Sequence, residues 1–277
     1  MGPYSTNHKK ILQFNLIEER TLEKLHQITS KLRDPEKGCP WDREQTFESI
    51  AHCAIEEAYE VVEAIEKRDY DSFKDELGDL LFQVTFHSSI AEEMNLFTFD
   101  DVVNSISEKL IQRHPHVFAD QSIKDAKTQT DNWEKIKIQE RKQKKGIGSV
   151  LDDIGDNQPA LNRAYKIGKR ARSVGFDWND VSGVINKIEE EIQELKEAIR
   201  DGNQAEIEEE AGDLLFSVVS LSRHTSIDPE TALRKANRKF DRRFRTMEKS
   251  LIEANNEFSK MSSKELDDLW EQVKATE

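Results

Sequence analysis

Cysteine is nearly missing from this sequence. Only Cys39 and Cys53 occur in 277 residues, with no C-x-x-C pair. That excludes a disulfide framework and a thiolate zinc site, and leaves two free thiols suited to a reducing, cytoplasmic setting. Prolines number six and none falls inside a stretch of helical periodicity; no stretch alternates as a strand would. Long apolar runs are absent, and Met1–Lys10 has no apolar segment of the kind a secretory signal needs. No association with a membrane is expected. Positive charge is in deficit, with 41 Lys and Arg against 55 Asp and Glu, a net charge of −14. Nucleic-acid binders carry a basic footprint, so nucleic acid is not an expected partner. A small anion held through a metal remains compatible with this balance.

What the chain has in abundance is patterned charge, 35% of all residues. The stretch from Ile188 to Leu221 organises it. Ile188, Ile192, Leu195 and Ile199 recur at i, i+4, i+7 and i+11, the stripe of an amphipathic helix. Asp201-Gly202-Asn203 supplies a stop and a tight turn. Ile207, Leu214, Val218 and Leu221 then make a second stripe, and the two helices are expected to pack antiparallel over a shared core. At about 100° per residue, Glu191 and Glu194 share one flank of the first stripe, and Glu210 and Asp213 the matching flank of the second. Four gathered carboxylates repel unless protons or a cation neutralise them. All the candidate ligands are oxygens, which selects a hard cation, Mg²⁺ or Mn²⁺, over zinc. A lone E-x-x-E is ordinarily a solvated helix face. Here the carboxylates border the apolar stripe, and the arrangement occurs twice.

Glu56-Glu57-Ala58-Tyr59-Glu60 matches Glu190-Glu191-Ile192-Gln193-Glu194, and Glu76-Leu77-Gly78-Asp79-Leu80-Leu81-Phe82 matches Glu210-Ala211-Gly212-Asp213-Leu214-Leu215-Phe216. The offset is constant at 134 residues (190 − 56 and 213 − 79). Downstream, Lys109 and Arg113 echo Lys239 and Arg243, and Trp133 echoes Trp270. One unit is used twice. A merely solvated face has no reason to keep glycine, aspartate, cations and tryptophan in one order.

Helices are expected over 11–33, 46–67, 71–94 and 99–113, and around Trp133. Between the first two lies a turn-rich stretch in which Trp41 reads as a buried anchor. Thr98 and Asp228 read as N-caps, Ser262 to Glu265 as a capping box, and His114-Pro115-His116 as a helix-ending turn. Lys135, Lys137, Arg141, Lys142, Lys144 and Lys145, followed by Gly146-Ile147-Gly148-Ser149, read as a solvated connector. Val174-Gly175-Phe176-Asp177-Trp178 stands where Cys39-Pro40-Trp41-Asp42 stood. The expected class is all-α, two tandem related helical bundles: residues 1–140, a linker over 141–158, and 159–277.

Lys239 and Arg243 project from one side of a helix with Asn237 nearby, a donor set suited to phosphate oxygens; with Arg234, Lys235, Arg238, Arg242 and Arg245 alongside, spacing alone fits a surface ion-pair helix equally. Trp270 and Lys274 repeat the spacing with an aromatic plane and a cation; a base could stack on that plane, and core packing is the equal alternative for Trp270. Hard metal, phosphate donors and a stacking surface together describe a nucleoside polyphosphate site.

The paired E-E-x-x-E and E-x-G-D-L-L-F helices, Lys235 to Phe244, and Gly38 to Asp42 resemble the MazG nucleoside triphosphate pyrophosphohydrolases, over nearly the whole chain. The resemblance implies an all-α homodimer that cleaves nucleoside triphosphates, with broad base tolerance, to monophosphate and pyrophosphate with Mg²⁺, through its C-terminal unit. It implies Glu191, Glu194, Glu210 and Asp213 as metal ligands. Lys187, Glu190, Lys239, Arg243 and Trp270 then bind nucleotide, with Asn237 and Lys274 as further candidates. Glu57, Glu60, Glu76 and Asp79 make a second site of open function. There Ser107, Leu110 and Gln112 replace Asn237, Phe240 and Arg242, so the first unit is expected to serve assembly or regulation. Two rivals stand beside this reading: a non-catalytic regulator that senses metal and nucleotide, and a narrow pyrophosphatase for one nucleotide such as dUTP or phosphoribosyl-ATP.

Overall fold

A computed structural model describes residues 22–119, 136 and 148–276. Every regular element among them is helical, and none is long and apolar enough to cross a membrane. The chain forms two compact units, Met1–Thr130 and Asp131–Glu277. The first holds α1 (Leu22–Leu32), α2 (Pro40–Glu44), α3 (Phe47–Lys67), α4 (Tyr70–Glu93), α5 (Phe99–Arg113) and α6 (Pro115–Phe118). The second holds α7 (Ala160–Arg172), α8 (Val181–Asp201), α9 (Gln204–His224), α10 (Pro229–Glu253), a 3₁₀ turn (Phe258–Lys260) and α11 (Ser263–Ala275). The start of the helix expected from residue 11, the one around Trp133, and the basic run from Lys135 to Lys145 fall outside the described residues.

Local chemistry sets the boundaries. The Thr98 and Ser262 side chains accept from the N3 amides of α5 and α11, and their own backbone amides donate back to the Asp101 and Glu265 carboxylates, closing a capping box at each. Asp228 caps α10, with Pro229 at its first position. Gly202 closes α8 at φ 70°, in the left-handed region that glycine enters without steric cost. Asn203 then caps α9. Each unit is centred on one antiparallel hairpin. In the first, α3, α1 and α5 pack on α4; in the second, α8, α7 and α10 pack on α9, and α11 packs on α10.

The hairpin cores differ from the expectation. The α8 stripe is not a closed core: Ile192 and Ile199 are 37% and 59% exposed. On α9, Val218 is exposed while Ser217, Val219, Ser220 and Arg223 are buried. α9 carries α8, α7 and α10 at once, so the faces those neighbours need displace the most apolar one. Trp41, expected to be buried, is 60% exposed.

Candidate active site

The most withdrawn line of α8 is Val184, Glu191 and Ala198, residues two turns apart. α3 repeats it as Ile50, Glu57 and Ala64, with Glu57 half-buried. A glutamate thus sits mid-line at the hairpin contact, where an aliphatic side chain would ordinarily pack. Glu191 is 3% exposed, and a buried carboxylate demands compensation. Lys187, one turn earlier, supplies it: Nζ lies 2.8 Å from Glu191 and 2.7 Å from Glu190. Hydrogen bonds to Glu190, then Glu191, push the Lys187 pKa well above its ordinary value.

Across the hairpin, Glu191, Glu194 and Glu210 each bring a carboxylate oxygen within 4.8 Å of the others. Asp213 lies one turn beyond Glu210 on α9. Desolvation, then the charges of Glu194, Glu191 and Asp213, raise the Glu210 pKa. In the first unit the trio within the same distance is Glu57, Glu76 and Asp79. Glu60 joins it through its charge. Burial first, then Asp79 and Glu60, push Glu57 up; burial, then Glu60 and Asp79, push Glu76 up. Carboxyls whose protons bind tighter through burial and then through one another's charge leave a site that a cation would neutralise. With oxygen donors only, such clusters fit a hard divalent cation.

The cationic and aromatic candidates form a second group on α10 and α11. Lys239 is exposed and Arg243 half-buried, one turn apart. The Arg243 guanidinium carbon lies 5.9 Å from the centre of the Trp270 ring, within cation–π range. Trp270 packs on Phe240 at 5.2 Å, and Phe244 stacks on Phe258 at 5.0 Å. Asn237 is exposed, and Lys274 pairs with Glu271 at 2.6 Å. In the first unit Lys109 and Arg113 occupy α5, and Trp133 lies outside the described residues.

One group was missed by the sequence reading. Arg223, 7% exposed, donates twice to the Asp177 carboxylate, and His224 Nε2 lies 3.0 Å from it. Burial opposes ionisation of Asp177, but the bonds from Arg223 and His224 overcome it and hold its pKa at about 2. Arg223 crosses the face of Gly168, where an added Cβ would lie 3.0 Å from Nε. The clamp fastens the Val174–Trp178 turn to α9. The available signal was a lone Arg ending the uncharged run Leu214–Ser222.

Fold and site first define a class: tandem all-α units in which antiparallel helix hairpins gather carboxylates. The model of the MazG nucleotide pyrophosphohydrolase domain matches residues 45–118 and 179–247, once over each hairpin. The chain is 47% identical over 258 residues to the nucleoside triphosphate pyrophosphohydrolase of Escherichia coli (strain K12), covering 92% of this chain and 98% of that protein. To the Thermotoga maritima nucleoside triphosphate pyrophosphohydrolase/pyrophosphatase MazG it is 49% identical over 252 residues, 91% and 95% of the two chains. A Mycobacterium tuberculosis nucleoside triphosphate pyrophosphohydrolase is 41% identical over 151 residues, 54% of this chain and 45% of that protein. The chain belongs to the MazG nucleotide pyrophosphohydrolase family and is an enzyme of it.

Proposed function

We propose that this chain hydrolyses nucleoside triphosphates, with broad tolerance of the base, to nucleoside monophosphate and pyrophosphate, and that residues 159–277 carry the reaction. The observation that carries the proposal is the Glu191–Glu194–Glu210 cluster with Lys187 beside it, in the unit that also presents Arg243 against Trp270. Glu191, Glu194, Glu210 and Asp213 hold Mg²⁺, which Mn²⁺ can replace. When bound, the cation neutralises charge on the phosphate oxygens and lowers the pKa of a coordinated water. The chain's own groups do the rest. Lys187, Lys239 and Arg243 bind phosphate oxygens, and Lys239 and Arg243 stabilise charge on the departing pyrophosphate. Glu190 or Glu194 orients the attacking water and takes its proton. Trp270 offers a stacking plane, aided by Asn237 and Lys274, and stacking tolerates every base because each has a π face.

Residues 1–140 act in assembly or regulation, with 141–158 as the connector. The enzyme works in the cytoplasm as a homodimer. The support is the apolar surface left open along the hairpins: Ile192, Ile199, Leu215 and Val218 in one unit, Ile55, Ile65, Leu77 and Val84 in the other. Large apolar side chains left exposed along packed helices favour association with a second copy.

The test is pyrophosphate release from a panel of ribo- and deoxyribonucleoside triphosphates with Mg²⁺. Release from every base with stoichiometric monophosphate is the expected result. A single dominant substrate would make the enzyme a narrow pyrophosphatase. Metal-dependent thermal stabilisation without any release would make it a sensor.

A further inference from the structure

Lys187 places an ammonium against Glu190 and Glu191, where an incoming cation must compete with it. Its two partners are unlike. Glu190 is exposed, and its pairing resembles any surface ion pair. Glu191 is 3% exposed, and the same carboxylate belongs to the trio whose oxygens lie within 4.8 Å. The pair is not there to support the helix, because Lys ahead of Glu is the weaker order for an i, i+4 pair. It neutralises a carboxylate that the hairpin contact has taken out of water.

The first unit supplies the contrast. Counting back 134 residues, the offset that aligns the two hairpins, places Cys53 at the position of Lys187. Cys53 packs against Ile50, Phe86 and Ile90 and brings no charge to Glu57. One repeat therefore keeps a resident cation on its buried glutamate, and the other leaves that glutamate to the mutual repulsion of its neighbours.

Resting on the metal-and-triphosphate reading of this site, we infer that Lys187 is an exchangeable counter-cation that couples metal binding to nucleotide binding in the C-terminal unit. A divalent ion entering alone must displace the ammonium from Glu191 and leave it without a partner. A triphosphate entering with the ion offers the ammonium phosphate oxygens within reach of its four-carbon stem. Ion and nucleotide should each bind weakly alone and strongly together. The first unit, without a lysine here, should bind a bare ion with no such dependence. Lys187 is thus a positioning residue for the metal ligands as well as a contact for phosphate.

The experiment uses the full chain carrying Glu57→Gln and Glu76→Gln, which silences the first cluster. Mn²⁺ binding is followed by the resonance of the free ion, with and without a non-hydrolysable triphosphate. In this background the analogue should tighten Mn²⁺ about tenfold or more, within the usual range of site-to-site coupling. Lys187→Met, which keeps the aliphatic stem, should bind bare Mn²⁺ about tenfold more tightly and lose most of the enhancement. Lys187→Arg, which keeps the charge, should retain it, and circular dichroism establishes that each variant is folded. Unchanged or weaker bare Mn²⁺ binding in Lys187→Met would overturn the inference while leaving the metal site intact. No Mn²⁺ binding in the starting background, with or without analogue, would overturn the metal reading itself.

Discussion

The two hairpins share a register and differ in what balances it. Ile50–Glu57–Ala64 and Val184–Glu191–Ala198 place a glutamate at the same point of the same helix contact. The second unit adds Lys187 where the first has Cys53. A second difference lies one helix away. The second unit holds its turn with Arg223 on α9 and Asp177 in the turn. The first places Ser89 at the position of Arg223 and reverses the polarity: Arg33, after α1, donates at 2.7 Å to both oxygens of Glu93 on α4 and also to the backbone carbonyls of Asp42 in α2 and Gln45 just after it. The adjoining cavities follow suit. That of the first unit is about 650 Å³ and lined by Arg33, Arg43, Glu92 and Glu93. That of the second is about 510 Å³ and lined by Ile167, Phe176, Trp178 and Phe216. A repeated unit can keep its carboxylates in one register while the counter-charges around them diverge.

The sharpest way to break this comparison is to remove one equivalent carboxylate from each unit. Glu210→Gln should lower pyrophosphate release at least ~100-fold, and Glu76→Gln should leave it within about twofold. Equal losses would mean that the units act together. Next in size, Arg243→Ala should lower kcat/KM by about 10- to 100-fold and Arg113→Ala by less than about twofold, read from initial rates over a range of substrate.

The clamp gives a stability test. Asp177→Asn leaves Arg223 buried without its partner and should cost about 3 kcal/mol at neutral pH, measured by urea unfolding of the second unit. The folded-state pKa of Asp177 is depressed from 3.8 to about 2. Its contribution is therefore complete above about pH 4 and is lost as pH falls through about 2. The gap between wild type and variant should narrow over that interval. The smallest effect lies at the hairpin turns. Gly202 and Arg68 both adopt positive φ, 70° and 58°. Gly202→Ala should destabilise by about 1 kcal/mol, and Arg68→Gly should stabilise by about 0.5 kcal/mol, read as shifts in the same unfolding curves.

Much of this architecture was legible because it is local. Caps at Thr98, Asp228 and Ser262, the stop at Gly202 and the period of the apolar residues depend on neighbours within a few positions. The carboxylate sets were legible because the repeat prints each twice. The Arg223–Asp177 clamp was not, since its partners stand 46 residues apart and no rule of spacing links them. Trp41 was misjudged because an aromatic residue in a turn carries no periodicity to reveal which way it faces.

The sequence by itself determined the helical class, the doubling and the helix ends. These follow from backbone chemistry and from the 3.6-residue period, which act at short range. Only the tertiary structure decided which faces are withdrawn from water. It buried Glu191 in place of Ile199, opened the apolar stripes, and set Lys187 against a carboxylate that has lost its solvent. The reason is competition: α9 must serve α8, α7 and α10 together. Which of its faces each neighbour takes depends on the packing of all three, a property of the assembled unit that no single segment carries.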